Sequence, residues 1–347
     1  MGTQRAGRSD RYPSTAAARD QFILDRRPPR SEHDPWRYQD LIVEHERAPD
    51  GAIARSATVF LTGRECPWRC VMCDLWRYTT SSDTPVGAIP AQLAAARRAL
   101  AEGQTAPVRQ MKLYNAGSFF DPRAVPESDY DGVVAHLSGL ERVVVESHPA
   151  LIGPRVERLL EALDRHRSPR DPAAAAPADN TAVRLEVAMG LETVHPEALG
   201  RLHKRMTVDQ FAAAASLLGR YGVAVRAFLL IAPPFVPTDE QDAWLLQSID
   251  VAVDCGASVV TLIPTRAGNG AMDALADDAF RPPRFDDIER SAALALARIR
   301  RDERIFVDVW DLEPFSACAA CFPARRDRLH AMNLAQRVLA PIHCQHG

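Results

Sequence analysis

Three cysteines stand within eight residues, at Cys66, Cys70 and Cys73, in the spacing C-x-x-x-C-x-x-C. Thiolates are soft ligands that suit iron–sulfur clusters and zinc. Three of them can hold three irons of a 4Fe–4S cluster and leave the fourth iron without a protein ligand. An open iron can take an external ligand and react, whereas clusters that only carry electrons have four cysteines. A zinc site and buried thiols without metal are the alternative readings of the same residues. A second group lies near the C-terminus. Cys318 and Cys321 form a C-x-x-C, followed 22 residues on by His343, Cys344 and His346. Two close thiols and a Cys/His group can make a tetrahedral zinc site. A second iron–sulfur cluster and unmetallated thiols at a frayed terminus stay open there. Cys255 follows an apolar helical run and reads as a core residue.

The chain that must position these groups has 347 residues, a net charge of −3 and seven cysteines. Its basic residues are almost all Arg, with Lys112 and Lys204 the only lysines, so single arginines carry little signal and the two lysines carry more. The net charge excludes a uniformly basic nucleic-acid binder. There is no apolar leader for export and no run of roughly 18 apolar residues that would span a membrane. A cytoplasmic protein with reduced thiols and no membrane contact is expected, so the cysteines read as metal ligands rather than a disulfide framework.

Residues 1–54 are rich in Arg, Asp and Pro and read as an irregular N-terminal arm, docking through Trp36, Tyr38, Leu41, Ile42 and Val43. From there strands and helices alternate. Strands are expected at Ala57–Leu61, Arg109–Tyr114, Arg142–Glu146, Val183–Ala188, Val223–Ile231 and Ser258–Ile263. Each is a short apolar run with little alternation, the pattern of parallel strands covered on both faces. Helices are expected at Pro90–Glu102, Pro154–His166, Thr207–Tyr221 and Glu240–Cys255, with capping residues at their ends. The Pro- and Ala-rich stretch 168–180 reads as a surface loop. Six strands alternating with helices give an α/β fold, a parallel sheet closed or nearly closed into a barrel over residues 55–280. Residues 281–347, with a helix near 285–301, a strand near 305–309 and a helix near 325–339, read as a small appendage carrying the second cysteine group. The triad follows the first barrel strand, at the end where barrel enzymes place their chemistry.

The spacing of Cys66, Cys70 and Cys73 resembles that of the radical S-adenosylmethionine superfamily, whose fold is a partial (β/α)6 TIM-like barrel. Further stretches sharpen the likeness: Lys112–Asp121 after the second strand, Val145–Pro149 after the third, Gly190–Thr193 after the fourth, Leu202–Thr207 and Phe228–Phe235. Over residues 55–285 they resemble the branch containing the radical subunit of archaeosine synthase, a tRNA-modifying enzyme. More distantly they resemble the radical domain of the elongator catalytic subunit. The resemblance implies a 4Fe–4S cluster, S-adenosylmethionine and an external one-electron donor such as a flavodoxin or ferredoxin. It implies an enzyme that cleaves S-adenosylmethionine reductively and uses the 5′-deoxyadenosyl radical to abstract hydrogen from a substrate.

The resemblance also suggests which residues would hold the cofactor. Ala116, Gly117 and Ser118 occupy the small-residue turn that lets backbone approach the methionyl amino group. Met72 stands where an apolar residue packs on the adenine. Glu146 and Glu192, at strand ends, are candidates for the ribose or amino group, or else structural ion-pair partners. Lys204 is a candidate for the cofactor carboxylate, or else a solvated charge. Arg226, if it points inward, is a carboxylate or phosphate clamp. Three functions compete: modification of a nucleoside in tRNA, radical chemistry on a small biosynthetic molecule, and a non-catalytic metal-binding protein. The first 55 residues balance 10 Arg against nine acids, which favours the small molecule, since tRNA binding depends on phosphate neutralisation.

Overall fold

The computed structural model describes residues 12–103, 106–166, 183–276, 278–300 and 302–344. Eight strands form one sheet in chain order: β1 (Asp40–Arg47), β2 (Ile53–Leu61), β3 (Gln110–Asn115), β4 (Arg142–Glu146), β5 (Arg184–Glu192), β6 (Ala224–Ile231), β7 (Ala257–Pro264) and β8 (Arg304–Val307). β1 runs antiparallel to β2, and all later neighbours pair in parallel. The helices are α1 (Ala16–Leu24), α2 (Ala88–Glu102), α3 (Tyr130–Ala135), α4 (Pro154–Arg165), α5 (Pro196–Arg201), α6 (Val208–Arg220), α7 (Gln241–Asp254), α8 (Phe285–Leu296) and α9 (Phe322–Ala335). The stretch 168–180 lies outside the described residues.

Local chemistry accounts for these elements. β4 carries Val143, Val144 and Val145 in sequence, all buried, as a parallel strand covered on both faces requires. α6 starts with a reciprocal cap: the Thr207 hydroxyl accepts from the Gln210 amide at 3.2 Å, and the Gln210 side chain accepts from the Thr207 amide at 2.9 Å. α4 has Pro154 at its first position, where no amide hydrogen is needed. The main core lies between sheet and helices and includes the fully buried rings Phe119, Phe120, Phe211 and Phe285. Burying each ring stabilises the fold by roughly 1.5–3 kcal/mol.

Two strands extend the six expected. β1 grows out of the arm, and β8 joins the sheet from the expected appendage, so neither end of the chain is peripheral to the barrel. The arm is also not irregular, since α1 and β1 both form within it. β1 was hidden because Leu41 and Val43 lie on one face while Glu44 and Glu46 turn from the other into a half-polar interior. That interior is a buried ionic floor. Lys112 binds Glu44 at 2.8 Å and Glu46 at 2.6 Å; Arg226 binds Glu46 and Glu186, both at 2.7 Å; Arg142 binds Glu186 at 3.1 Å. The acids of β1 thus neutralise cations on β3 and β6 and hold the first strand across the barrel.

β1 and β8 do not pair, so the barrel is open between them. α9 covers that side. The Asn333 side chain accepts from the Val307 amide and donates to its carbonyl, at 2.9 and 2.8 Å. Gln336 does the same for Ile305, both at 2.8 Å. Two side-chain amides therefore satisfy the free edge of β8, which would otherwise invite another strand. Arg47 of β1 donates to the Leu334 carbonyl at 3.2 Å, which ties the other lip to the same helix.

Candidate active site

The loop leaving β2 carries Cys66, Cys70 and Cys73, all half-buried. Main-chain bonds fix it from two sides: the Val71 amide donates to the Leu202 carbonyl at 3.0 Å, and the Thr80 amide donates to Gly63 at 2.9 Å. Asn269 fixes it from a third. Its buried amide donates to the carbonyls of Val71 at 2.8 Å and Cys73 at 3.2 Å, and accepts from the Met272 amide at 2.7 Å. Sequence reasoning missed Asn269, although the turn Gly268-Asn269-Gly270 after β7 was a readable signal. Glu65, beside the first cysteine, sits among Arg27, Arg30 and Arg69 at 2.7, 3.1 and 3.2 Å. Two of those arginines come from the N-terminal arm.

Trp68 lies flat on His148, with ring centroids 3.7 Å apart and planes 10° from parallel. His148 Nδ1 accepts from the Ala150 amide at 3.1 Å, so its proton is on Nε2, facing the Lys204 carbonyl at 3.0 Å. Burial, helped by the Lys204 charge, pulls the His148 pKa down to about 3, so the ring is neutral.

Lys204 and Glu192 form a buried pair at 2.6 Å. Both are positioned by unusual backbone. Glu192 has φ 66° at a bulge in the β5–β6 register, and His203 and Arg205, on either side of Lys204, have φ 60° and 56°. Such left-handed residues persist only where the surroundings hold them. Here Asp20 of α1 holds both flanks, bonded to His203 at 2.9 Å and to Arg205. A Cβ at Gly190 would overlap both the Glu192 carboxylate and the Lys204 ammonium. Burial opposes the Lys204 charge, but Glu192 and the neighbouring thiols more than offset it and raise its pKa.

Burial pushes the thiols of Cys66, Cys70 and Cys73 each up to about 12. The Lys204 charge pulls the first two partly back, which places that ammonium beside the triad. Glu146, at the end of β4, has its pKa pushed up to about 8 by burial, with Lys204 and the Asn115 backbone acting against the rise. Asn115, at the end of β3, has both side-chain amide atoms buried without a hydrogen-bond partner. A buried amide left unpaired is costly unless a ligand completes it.

The remaining expected residues are placed as follows. Gly117 packs so tightly that a Cβ would stand 2.9 Å from the Arg64 carbonyl, and Ala116 beside it is half-buried. The Ser118 hydroxyl accepts from the His148 amide at 2.9 Å and so joins two loops. Met72 is half-buried against a second apolar cluster that includes Phe22 and Ile23 of α1, Val71 and Leu202. Arg226 leaves the cofactor set: its guanidinium is committed to Glu46 and Glu186 in the floor. Cys318, Cys321 and Cys344 come together, with their sulfurs all within 4.8 Å of one another. His343 is exposed, and His346 lies outside the described residues. A cleft of about 450 Å³ opens onto Cys66, lined by Arg64, Glu65, Arg69, Asp121 and Arg123.

No family model matches the sequence. An uncharacterized protein of Methanocaldococcus jannaschii is 24% identical over 180 residues, 50% of this chain and 44% of its own. Archaeosine synthase subunit beta of Methanosarcina acetivorans is 22% identical over 257 residues, 72% of this chain and 67% of its own. Among solved structures, Elp3 of Methanocaldococcus infernus superposes with a TM-score of 0.50 at 12% identity, covering 71% of this chain and 59% of that one. The likeness to Elp3 is one of fold, an α/β partial barrel, and the spacing of the thiol triad resembles that of the radical S-adenosylmethionine superfamily. The chain spans less than half of the first relative and about three fifths of the Elp3 chain.

The residues present fit the radical S-adenosylmethionine cofactors. Three cysteines share one short, anchored loop. At the ends of β3 and β4 lie an unpartnered buried amide at Asn115 and the carboxyl of Glu146, which the Asn115 backbone reaches. A side chain at Gly117 would meet the Arg64 carbonyl, and one at Gly190 would displace the Glu192–Lys204 pair. No helix among the described residues is long and apolar enough to cross a membrane.

Proposed function

We propose that this chain is a radical S-adenosylmethionine enzyme acting on a nucleoside within tRNA. The observation that carries the radical chemistry is the anchored loop of Cys66, Cys70 and Cys73 at the C-terminal ends of parallel strands, with the Lys204 ammonium beside it. When bound, the cluster and S-adenosylmethionine supply a 5′-deoxyadenosyl radical that removes hydrogen from the substrate. The chain's own residues bind and shield. Asn115 and Glu146 present polar atoms at the mouth, beside the tightly packed Gly117 turn. The Trp68–His148 stack packs beside the loop, and the neutral His148 ring adds no charge of its own there. Lys204 offsets the negative charge of the thiolates, and Glu192 fixes its position. An external one-electron donor, a flavodoxin or ferredoxin, would reduce the cluster.

Two observations support a nucleoside. One is the match to archaeosine synthase subunit beta over most of the chain. The other is the barrel interior. Tyr114 and Phe228 follow Lys112 and Arg226 by two residues and so face the same way. With Phe60 and Trp310 they form a half-buried aromatic wall, centroids 5.3–6.4 Å apart, between the ionic floor and the cysteine loop. Such rings stack on a nucleobase extruded from its strand. The test is 5′-deoxyadenosine formation with bulk tRNA against free nucleosides. Stimulation by tRNA, abolished by ribonuclease, is expected. Stimulation by free nucleosides or other small metabolites alone would replace this reading with the small-molecule one that the near-balanced arm favours.

A further inference from the structure

The chain holds two cysteine triads, and they differ in spread. In a cubane cluster each thiolate binds a different iron, so the sulfurs stand wider apart than around one ion. The sulfurs of Cys66, Cys70 and Cys73 are not gathered into a single-ion group among the described residues, whereas those of Cys318, Cys321 and Cys344 lie within 4.8 Å of one another. Around one tetrahedral zinc, with Zn–S bonds of about 2.3 Å, thiolates stand about 3.8 Å apart. The C-terminal triad needs to close by no more than about an ångström.

The local fold explains the convergence. Cys318 and Cys321 make the turn into α9: the Phe322 amide donates to the Cys318 carbonyl and the Arg325 amide to the Cys321 carbonyl, both at 3.1 Å. The start of a helix favours thiolate over thiol. Cys344 arrives from the other end of the same helix. Arg328 of α9 donates to the carbonyls of Leu339 at 2.6 Å and Ala340 at 2.7 Å, folding the tail back along the helix. Three thiols from two segments therefore meet without sharing a strand or helix.

We infer that Cys318, Cys321 and Cys344 bind a single divalent ion of zinc's chemistry, in a site separate from the cluster loop. Three thiol protons leave to solvent as the ion binds, and the fourth position goes to water or to His343. The site clamps the tail to the head of α9, the helix whose Asn333 and Gln336 close the edge of β8. Its role is to lock the barrel's open side. The inference does not depend on the substrate or on S-adenosylmethionine cleavage.

The test is metal analysis of the full chain, holding its iron–sulfur cluster, beside Cys318→Ser and Cys344→Ser variants. About one zinc per chain is expected in the parent. Each serine variant should lose it while keeping four irons, with a lower thermal midpoint that chelator also produces in the parent. Cobalt substituted into the parent should show thiolate charge-transfer and tetrahedral ligand-field bands that both variants lack. Because Cys344 is exposed, its variant is expected to fold. Absence of zinc and of cobalt bands from the parent would overturn the inference. So would zinc retained in both variants, or about eight irons of which half vanish in Cys318→Ser, which would mean a second cluster.

Discussion

At the residue scale, the structure separates groups that hold the fold from groups left for ligands. Lys204 and Glu192 satisfy each other, so removing one strands the other in the interior. Lys204→Met is expected to lower stability by about 3–5 kcal/mol, and adding Glu192→Leu to recover much of the loss. Urea unfolding of the single and double variants measures this, and an additive double variant would show that the pair is not coupled. Glu146 behaves in the opposite way. Its pKa rises from 4.5 in the open chain to about 8 in the fold, so the folded protein holds a proton that the unfolded chain releases. Wild-type stability should therefore fall as pH rises through that window. Glu146→Gln should flatten the decline by on the order of 2 kcal/mol between pH 5 and pH 8. Unfolding of cluster-free protein at the two pH values checks it, and an unchanged decline would place the titration elsewhere. The triad was legible in the sequence because metal spacing is local. Lys204 stood out by its rarity, but Asn269 and Asp20 did not, because each acts through partners distant in the chain, and Asn115 did not, because its burial without a partner is set by the fold.

At the scale of elements, most parallel strands and the helices between them were readable from apolar runs and caps. Arg142–Glu146 matches β4 end to end, and Thr207 caps α6 as its residue type suggests. β1 was not readable, for a physical reason: it turns Glu44 and Glu46 toward the ionic floor, so it lacks the apolar signature of a core strand. β8 was readable as a strand near 305–309, but its place in the barrel sheet was not. Arg226 misled because neither its inward direction nor the carboxylate waiting for it on β1 is legible in the sequence. Arg226→Met leaves Glu46 and Glu186 facing each other without their shared cation. A loss of about 3–5 kcal/mol is expected, with S-adenosylmethionine affinity unchanged in the folded fraction. Calorimetric titration of S-adenosylmethionine into the reconstituted variant checks it. A large loss of affinity with normal stability would return Arg226 to the cofactor site. α1 also acts across the fold, because Asp20 holds the two left-handed residues flanking Lys204. Asp20→Ala is expected to reduce the yield of reconstituted cluster several-fold while lowering global stability by about 1–2 kcal/mol, read from iron content and urea unfolding. Full cluster loading would show that α1 does not position the loop.

For the whole molecule, the parts divide along the barrel axis. The ionic floor closes one end, aromatic rings line the middle, and the cysteine loop with its buried lysine occupies the mouth. The N-terminal arm braces the loop through Arg27, Arg30 and Asp20, and the C-terminal helix seals the open side. Both ends of the chain thus stabilise the barrel that carries the chemistry. The central claim is that Cys66, Cys70 and Cys73 hold a cluster with an open iron that cleaves S-adenosylmethionine. Its most direct test is 5′-deoxyadenosine release by anaerobically reconstituted, chemically reduced protein, compared with a Cys66→Ala variant carried through the same reconstitution. Release from the parent and none from the variant is predicted. A parent that carries four irons yet releases no 5′-deoxyadenosine, or a variant that releases as much as the parent, would contradict it.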